Sequence, residues 1–133
     1  QFRLPAEAEW EYACRANGKG QYCGGDNIED LAWYSDNSDR STHPTGVKQA
    51  NDFDLHDMSG NVWEWCQDWY GNDYYSVSTR DNPQGPSSGS DRVIRGGSWN
   101  NDDKYVRSAF RGSDLPTSHY DFLGFRLVLP SGQ

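Results

Sequence analysis

The chain between residues 57 and 71 reads Asp-Met-Ser-Gly-Asn-Val-Trp-Glu-Trp-Cys-Gln-Asp-Trp-Tyr-Gly and contains three of the six tryptophans in the sequence. Trp63 and Trp65 alternate with shorter side chains, a period of two that places successive side chains on opposite faces of a β-strand. A large aromatic side chain removes roughly 150–250 Å² from water when it is buried. The pattern therefore predicts a strand at the centre of a sheet, with Trp63, Trp65 and Trp69 on one face that nucleates the core.

The composition sets limits on the fold and on the partners. A length of 133 residues suits one domain with its own core. Hydrophobic residues make up only 34% of the chain, but 14% are aromatic and 14 are glycine, so we expect an aromatic-rich core, much irregular backbone and few long helices. The net charge of −8 and the lack of any basic run argue against a nucleic-acid partner. No apolar run approaches the ~20 residues of a membrane span.

Further elements are predicted on either side of the tryptophan strand. Residues 4–15 predict a helix with Pro in its first turn, acids near its start and Arg15 near its end, and with Ala6, Trp10 and Cys14 on its buried face. Residues 70–91 are rich in turn-forming Gly, Pro, Asn and Ser. Strand patterns follow at residues 92–99, 106–110 and 123–129. In the first of these, Gly96 and Gly97 indicate a bulge or a close approach of another backbone.

The cysteines and histidines show no metal-ligand spacing. Cys14, Cys23 and Cys66 are odd in number, and either Cys14 and Cys23 form a bridge or all three behave as small apolar residues. The apolar alternative is favoured because a Cys in a helix or a buried strand usually packs as a small hydrophobic group. His43, His56 and His119 are scattered along the chain and predict no metal centre.

Four separated motifs resemble the formylglycine-generating (sulfatase-modifying factor) family. They are Arg3-Leu4-Pro5 with Glu7-Ala8-Glu9-Trp10-Glu11-Tyr12-Ala13, Gly60-Asn61-Val62-Trp63-Glu64-Trp65, Arg92-Val93 with Arg95-Gly96-Gly97-Ser98-Trp99, and Gly124-Phe125-Arg126. The resemblance covers residues 2–129. It implies an α+β, C-type-lectin-like fold with a small antiparallel sheet and much irregular structure. It also implies that residues 1–133 form a single lectin-like domain, truncated at the N-terminus because the family's opening strand and helix are absent.

The resemblance suggests two enzymatic activities, and the residues favour neither. Formylglycine-generating oxidases hold copper with two cysteines shortly after the Gly-Gly-Ser strand, and thiolates suit a soft monovalent copper ion. Residues 100–111 contain no Cys. Iron-dependent relatives take histidine ligands from a separate helical domain that this chain lacks. We therefore expect no copper, no iron and no catalytic residues; an oxidase, or an inactive relative of one, is the alternative hypothesis.

The segment 100–122 favours ligand binding instead. It mixes Tyr, Ser, Asp, Asn, Gly and His, which in antibody paratopes supply contact area and adaptable hydrogen bonds. This resembles the variable proteins of diversity-generating retroelements, whose variable positions derive from asparagine codons altered at adenines. The resemblance implies a macromolecular ligand, most simply a protein, and exposure on a bacterial or phage surface; an ordinary exposed loop is the alternative. The candidate ligand-binding residues are Asn101, Asp102, Tyr105, Phe110, Gly112, Ser113, Asp114, Ser118, His119, Tyr120, Asp121 and Phe122.

The resemblance also implies a structural calcium ion at the turn before the tryptophan strand. The matching ligands here are the side chains of Asp57 and Glu64 and the carbonyls of Gly60 and Val62. Hard oxygen ligands of this kind suit Ca²⁺. The alternative is that both carboxylates bond to protein groups without an ion.

Overall fold

The computed structural model describes residues 1–71 and 83–131 and shows only short elements. In chain order they are α1 (Glu7–Arg15), α2 (Ile28–Leu31), β1 (Trp63–Trp69), β2 (Arg92–Arg95), a 3-10 turn (Asp103–Val106), β3 (Arg111–Asp114) and β4 (Leu123–Gly124). No helix in these residues is long and apolar enough to cross a membrane. Part of the turn-rich stretch predicted at 70–91, namely residues 72–82, lies outside the described residues.

The four strands form one sheet in the order β3-β2-β1-β4. Strand β1 lies between two neighbours, which confirms that the tryptophan strand is central. Strand β2 pairs antiparallel with both β1 and β3, and Ile94 lies opposite Trp65 on one side and Gly112 on the other. Strand β4 runs parallel to β1, with Leu123 opposite Trp63. The sheet is therefore mixed. The predicted small antiparallel sheet accounts for the β1–β2 and β2–β3 pairs, whereas β4 runs parallel to β1 because the long connection before it allows the chain to return in the same direction.

The core lies between helix α1 and the β1 side chains that alternate with the tryptophans. Glu64, Cys66 and Asp68 are all buried on this face. The indole Nε1 of Trp10 donates to Glu64 Oε1 at 2.8 Å, and the backbone N–H of Glu7 donates to Asp68 Oδ1 at 2.8 Å. The main core cluster consists of Trp10, Cys14, Cys23, Met58, Cys66 and Val93.

The tryptophans of β1 face away from this core. Trp63 is buried, with 7% of its surface exposed, but Trp65 and Trp69 are only half-buried. The prediction that the indole face nucleates the core was therefore wrong. The helix brings its own indole, and the N–H of Trp10 needs an acceptor that only the Glu64 face provides.

Helix α1 begins later than the sequence predicts. Its first residue is Glu7, preceded by Ala6 in an extended conformation, and Glu9 Oε1 reaches back to accept from the Ala6 N–H at 2.8 Å. That bond satisfies one of the amides at the helix start. The predicted buried face of Ala6, Trp10 and Cys14 is confirmed.

Glycines let β2 end against two other parts of the backbone. Gly96 has φ +100° and Gly97 has φ +69°, values that side-chain-bearing residues rarely adopt. A Cβ atom on Gly96 would lie 2.7 Å from the carbonyl oxygen of Met58, and one on Gly97 would lie 2.6 Å from Val106 Cγ1. The predicted close backbone approach is confirmed.

Two predicted strands differ in the structure. Residues 106–110 do not form a strand, because Val106 ends the 3-10 turn and is fully buried in a second cluster with Tyr22, Leu31 and Tyr34. The next strand starts at Arg111. Of the predicted strand 123–129, only Leu123–Gly124 pairs with β1, while Val128 forms an isolated antiparallel bridge with Arg3.

The disulfide between Cys14 and Cys23 is present, with an S–S distance of 2.07 Å. The preference for three apolar cysteines was therefore wrong for this pair, since the loop after α1 returns its chain to the helix end. Cys66 is free and buried, and burial raises the pKa of its thiol well above the usual value. A thiol with a raised pKa carries little thiolate and reacts slowly.

Buried charges join α1 to the sheet. Glu7 Oε2 accepts from Arg95 Nη1 at 2.8 Å and from Arg111 Nε at 2.7 Å, and Glu7 Oε1 accepts from Arg111 Nη2 at 2.8 Å. Arg95 Nη2 also donates to Glu11 Oε2 at 3.1 Å, and its guanidinium lies 4.9 Å from the centre of the Trp10 ring. Arg95 has no exposed surface and Glu7 only 2%, so each charge depends on its partners for compensation.

Replacing Glu7 by Gln tests this network. Two arginines would then face a neutral amide away from water, and the free energy of unfolding in urea should fall by about 3–5 kcal/mol. Glu9→Gln, on the same helix, is the matched control. Glu9 pairs with Arg3 at the surface, where the two side chains are 44% and 39% exposed, so it should cost about 1 kcal/mol or less. Equal losses in the free energy of unfolding of the two variants would show that the buried network contributes no more to stability than the surface ion pair does.

Candidate functional site

The face of the sheet turned away from α1, which we call the outer face, is built on Trp63 and Trp65. Val93 packs in the α1 core, so strand alternation places its neighbour Ile94 on the outer face. Ile94 pairs with Trp65 and with Gly112. A Cβ atom on Gly112 would lie 3.1 Å from Trp63 Cζ3. Because Gly112 has no side chain, the surface of the Trp63 indole next to it is free for contact with other residues.

The predicted binding segment, residues 100–122, packs on this indole. The ring centres of Phe110 and Trp63 are 6.0 Å apart, and the ring of Tyr105 meets Phe110 edge-on at 4.8 Å. The backbone N–H of Trp63 donates to the carbonyl of Phe122 at 2.8 Å. The middle and the end of the segment are therefore both fixed to the same residue of the central strand.

The end of the segment presents a preformed aromatic pair. The rings of Tyr120 and Phe122 stack with their centres 4.6 Å apart and their planes within 10° of parallel. Tyr120 is 46% exposed, while Phe122, whose carbonyl accepts from the Trp63 N–H, is half-buried. Upstream, Ser118 Oγ donates to Asp114 Oδ1 at 2.6 Å, which ties the loop back to β3. The pair is held in one arrangement before any ligand arrives.

The twelve predicted ligand-binding residues all have accessible surface. Four are exposed: Asp102, His119, Tyr120 and Asp121. Eight are half-buried: Asn101, Tyr105, Phe110, Gly112, Ser113, Asp114, Ser118 and Phe122. Among the aromatic residues of this set, only Tyr120 is exposed, because the other rings pack on one another or on Trp63.

Three of the twelve differ from the rest in what they contact. Asn101 Oδ1 accepts from the backbone N–H of Ser98 at 3.0 Å and from its hydroxyl at 2.7 Å, which orders the turn after β2. Asp102 caps the 3-10 turn. Ser113 lies opposite Val93, on the α1 side of the sheet. Four of the other nine approach Trp63 directly or through one neighbour: Tyr105, Phe110, Gly112 and Phe122.

The sequence did not assign the supporting tryptophans to this site. Trp63 and Trp65 were predicted to form the core, although they carry the outer face. Trp99 Nε1 donates to the carbonyl of Asp121 at 3.3 Å and supports the exposed end of the segment. One signal in the sequence could have placed the β1 tryptophans on the outer face: the predicted helix carries its own indole, Trp10, and two indole surfaces cannot both fill one small interface between helix and sheet.

A second candidate site is a cavity of about 370 Å³ where the turn before β1 meets the chain after β4; its lining includes Asp57, Asn61, Val62, Glu64, Phe125 and Arg126. Asp57 Oδ2 accepts from the backbone N–H of Gly46 at 2.9 Å, whereas Asp57 Oδ1 is buried without a hydrogen-bond partner. Among the four predicted calcium ligands, Gly60 is buried nearby in the chain but does not line this cavity.

Glu64 in this cavity is engaged by Arg126. Arg126 Nε donates to Glu64 Oε1 at 2.7 Å and Arg126 Nη2 donates to Glu64 Oε2 at 2.8 Å. Burial by itself lowers the pKa of Arg126, but these bonds to Glu64 raise it above its usual value. The Arg126 guanidinium therefore stays charged at neutral pH.

Comparison with known families matches residues 1–130 to the model of the sulfatase-modifying factor enzyme 1-like domain. The chain belongs to this family. The α+β, C-type-lectin-like fold predicted from the four motifs is confirmed, with a small mixed sheet and few helices. Glu7, Glu11, Glu64, Arg95 and Arg126 all come from those motifs, whereas Asp68 and Arg111 lie outside them.

Relatives in this family have varied names. The chain is 42% identical to a serine/threonine-protein kinase pkn1 of Chlamydia caviae and covers 20% of that protein. It is 39% identical to the formylglycine-generating enzyme of Streptomyces coelicolor and covers 45% of it. Among solved structures, Treponema denticola variable protein 1 matches 95% of this chain with a TM-score of 0.86 and 39% identity, over 46% of its own chain. The chain thus spans less than half the length of these relatives.

The cavity lined by Asp57 and Glu64 contains the type of oxygen ligand that a calcium ion prefers. A carboxylate has about four lone-pair positions. Glu64 uses two on Oε1, for Trp10 and Arg126, and one on Oε2, so that Oε2 retains one. Together with the unpartnered Asp57 Oδ1, this gives two hard oxygens in one cavity. No group of three or more His, Cys, Asp or Glu side chains suited to a metal occurs within residues 1–71 and 83–131, so backbone oxygens would have to contribute.

Two double variants should separate the exposed layer of the outer face from its support. His119→Ser with Tyr120→Ser removes exposed side chains and should change the free energy of unfolding by no more than about 0.5 kcal/mol per site. Tyr105→Ser with Phe110→Ser removes the rings that cover Trp63. The second pair should cost several times more, though less than the roughly 3–5 kcal/mol per fully buried Phe. Urea denaturation measures both, and a large loss in the first pair would place His119 and Tyr120 in the scaffold.

Proposed function

We propose that this chain is a non-enzymatic ligand-binding domain, a variable protein of a diversity-generating retroelement, and that its ligand is a protein. Residues 100–122 supply the binding surface and the rest of the chain supplies a rigid support. The observation that carries the proposal is the Tyr120 ring at the end of residues 100–122, which is 46% exposed and stacked on Phe122. An aromatic side chain held rigidly at the surface gives contact area to a partner at little entropic cost.

The separation of stability from binding supports this proposal. Stabilising contacts are concentrated on the α1 side of the sheet, in the charge network, the disulfide and the main core cluster. The outer face carries polar and aromatic residues whose replacement leaves those contacts untouched. A surface of this kind can change its side chains without loss of the fold, as a variable protein requires.

The likeness to Treponema denticola variable protein 1 supports the same class. At 39% identity and a TM-score of 0.86, the likeness extends over nearly the whole chain. Contacts of Tyr105, Phe110, Gly112 and Phe122 with Trp63 or with one another support the proposal, because a variable binding surface needs its residues to be grouped. A near-copy of the coding segment for residues 92–129 beside a reverse transcriptase gene would be a direct test of the class.

The state of the cysteines argues against the alternative, an oxidase with a copper-binding thiol pair. Cys14 and Cys23 are joined to each other, and burial raises the pKa of Cys66 well above its usual value. Thiolate ligation needs deprotonated sulfur. No second thiol accompanies Cys66 anywhere in the sequence.

A pair of matched libraries tests the binding face. One library randomises His119, Tyr120 and Asp121, and the other randomises Tyr12, Asp52 and Phe53. Tyr12 and Phe53 form an aromatic contact at 5.6 Å and are both exposed, so this second patch is similar in chemistry. After selection against purified lysozyme, the first library should yield folded binders with dissociation constants of about 1 μM or lower, and the second should not. Equal yields would contradict the special role of residues 100–122.

We also propose that the cavity between Asp57 and Glu64 binds one structural Ca²⁺ ion. When bound, the ion would supply positive charge to Asp57 Oδ1, which has no hydrogen-bond partner in the described part of the chain. An unpaired buried carboxylate oxygen is costly, and a cation removes that cost.

Calcium should raise the melting temperature of the chain, and a chelator should reverse the change. Free Ca²⁺ at 100 times its dissociation constant adds about 2.7 kcal/mol of stability, which corresponds to several degrees. Asp57→Asn should reduce the increase because it removes one negative charge. Asp54→Asn is the matched control, since Asp54 has the same φ of 61° but is exposed. Identical melting curves with Ca²⁺ and with chelator would remove the site.

A further inference from the structure

A small pocket lies beside the outer face, next to the predicted binding segment. Its volume is about 290 Å³, and it is lined by Leu4, Trp65, Cys66, Gln67, Arg92 and Pro116. Leu4, Trp65 and Pro116 provide apolar walls. Pro116 belongs to the loop between β3 and β4, so the pocket opens within the region where a ligand of residues 100–122 would lie.

The pocket carries one cation that is fixed in place. The guanidinium of Arg92 stacks 3.5 Å from the centre of the Trp69 ring, and its Nη1 donates to the carbonyl of Gln67 at 2.7 Å. A guanidinium has five N–H donors, and this is its one hydrogen bond within the described residues. Arg92 forms no ion pair with any carboxylate of residues 1–71 and 83–131.

The acidic residue beside Arg92 in the chain and the one opposite it in the sheet accept hydrogen bonds from other groups. Asp114 lies opposite Arg92 in the strand register, but its Oδ1 accepts from Ser118 Oγ at 2.6 Å and from the Leu115 N–H at 2.8 Å. Asp91 Oδ2 accepts from the hydroxyl of Ser113 at 3.3 Å. In a chain with a net charge of −8, the Arg92 guanidinium is thus an available donor pair for a carboxylate supplied by a partner.

We propose that this pocket, which we call the Trp65 pocket, anchors the protein ligand by one large apolar side chain and an acidic residue next to it. This proposal rests on the proposed binding function and names the chemistry of the partner. The apolar side chain would enter between Trp65, Leu4 and Pro116, and the carboxylate would bond to Arg92.

The size and the composition of the pocket favour this occupant. Pockets for whole small-molecule ligands usually measure 300–1,000 Å³, so a cavity of about 290 Å³ is at the lower limit and suits one side chain. Binding energy at protein interfaces is concentrated in a few anchors that fill such pockets. A guanidinium fixed by stacking binds a carboxylate with good geometry. Leu4, Trp65 and Arg92 lie outside the predicted variable segment, and Pro116 lies within it but is not one of the twelve candidate binding residues. The anchor therefore stays constant when those twelve residues change.

Three short peptides test the proposal on the 133-residue chain: acetyl-Glu-Phe-amide, acetyl-Gln-Phe-amide and acetyl-Glu-Ala-amide. Titrations followed by ¹H–¹⁵N NMR report binding at the indole N–H of Trp65. We expect the Glu-Phe peptide to bind at least fivefold more tightly than either of the others, and to shift the Trp65 signal. The Glu over Gln preference should shrink as salt is raised, because the contribution of Arg92 is electrostatic. Equal affinity for the three peptides, or shifts that avoid Trp65, would overturn the proposal.

Three variants separate the two contributions. Arg92→Gln should abolish the preference for Glu over Gln and leave the preference for Phe over Ala. Pro116→Ser, in an exposed loop, should abolish the preference for Phe over Ala and leave the preference for Glu over Gln. Arg92→Lys keeps the charge and should retain part of the Glu preference, which guards against a fold defect in Arg92→Gln. If the library built on residues 100–122 yields binders but the peptides do not bind, only the pocket proposal fails. If the peptides bind but that library yields no binders, the pocket proposal stands and the proposed variable surface fails.

Discussion

The charge network between α1 and the sheet is the constraint on which the rest of the structure depends. Arg95 has no exposed surface, and an unpaired guanidinium in that position would cost several kcal/mol. Its carboxylate partners, Glu7 and Glu11, are four residues apart and therefore lie on one face of the helix. The helix can dock only where both reach Arg95. In that position, Trp10 between them lies under the guanidinium and reaches Glu64.

The motifs that identify the family are the parts of this network. Glu7, Trp10 and Glu11 come from the first motif, Glu64 from the second, Arg95 from the third and Arg126 from the fourth. Each bonds to a residue of another motif. Such residues specify how the helix, the central strand and the chain end meet, and none of them needs a substrate. Relatives with names as different as a kinase, a formylglycine-generating enzyme and a variable protein match this chain, which agrees with the rule that function depends on sites placed on a shared fold.

The two faces of the sheet differ in the kind of contact that holds the chain against them. On the α1 side, charges and core side chains are mutually dependent, so a change in one is felt by the others. On the outer face, residues 118–122 rest on Trp63 and Trp99 through backbone groups, as in the bonds to the carbonyls of Phe122 and Asp121. A backbone carbonyl is present whatever side chain the residue carries. Support through backbone carbonyls does not depend on which side chains lie above it.

The sequence by itself determined the central strand, the buried face of α1 and the close approach at Gly96 and Gly97, because periodicity and the lack of a Cβ atom are local properties. It also grouped most of the candidate binding residues, since they are adjacent along the chain. Only the tertiary structure decided which face of β1 the helix covers, because alternation separates two faces without ranking them. The Cys14–Cys23 disulfide and the pairing of Glu64 with Arg126, 62 residues away, likewise depend on how distant segments meet, and no local pattern encodes that meeting.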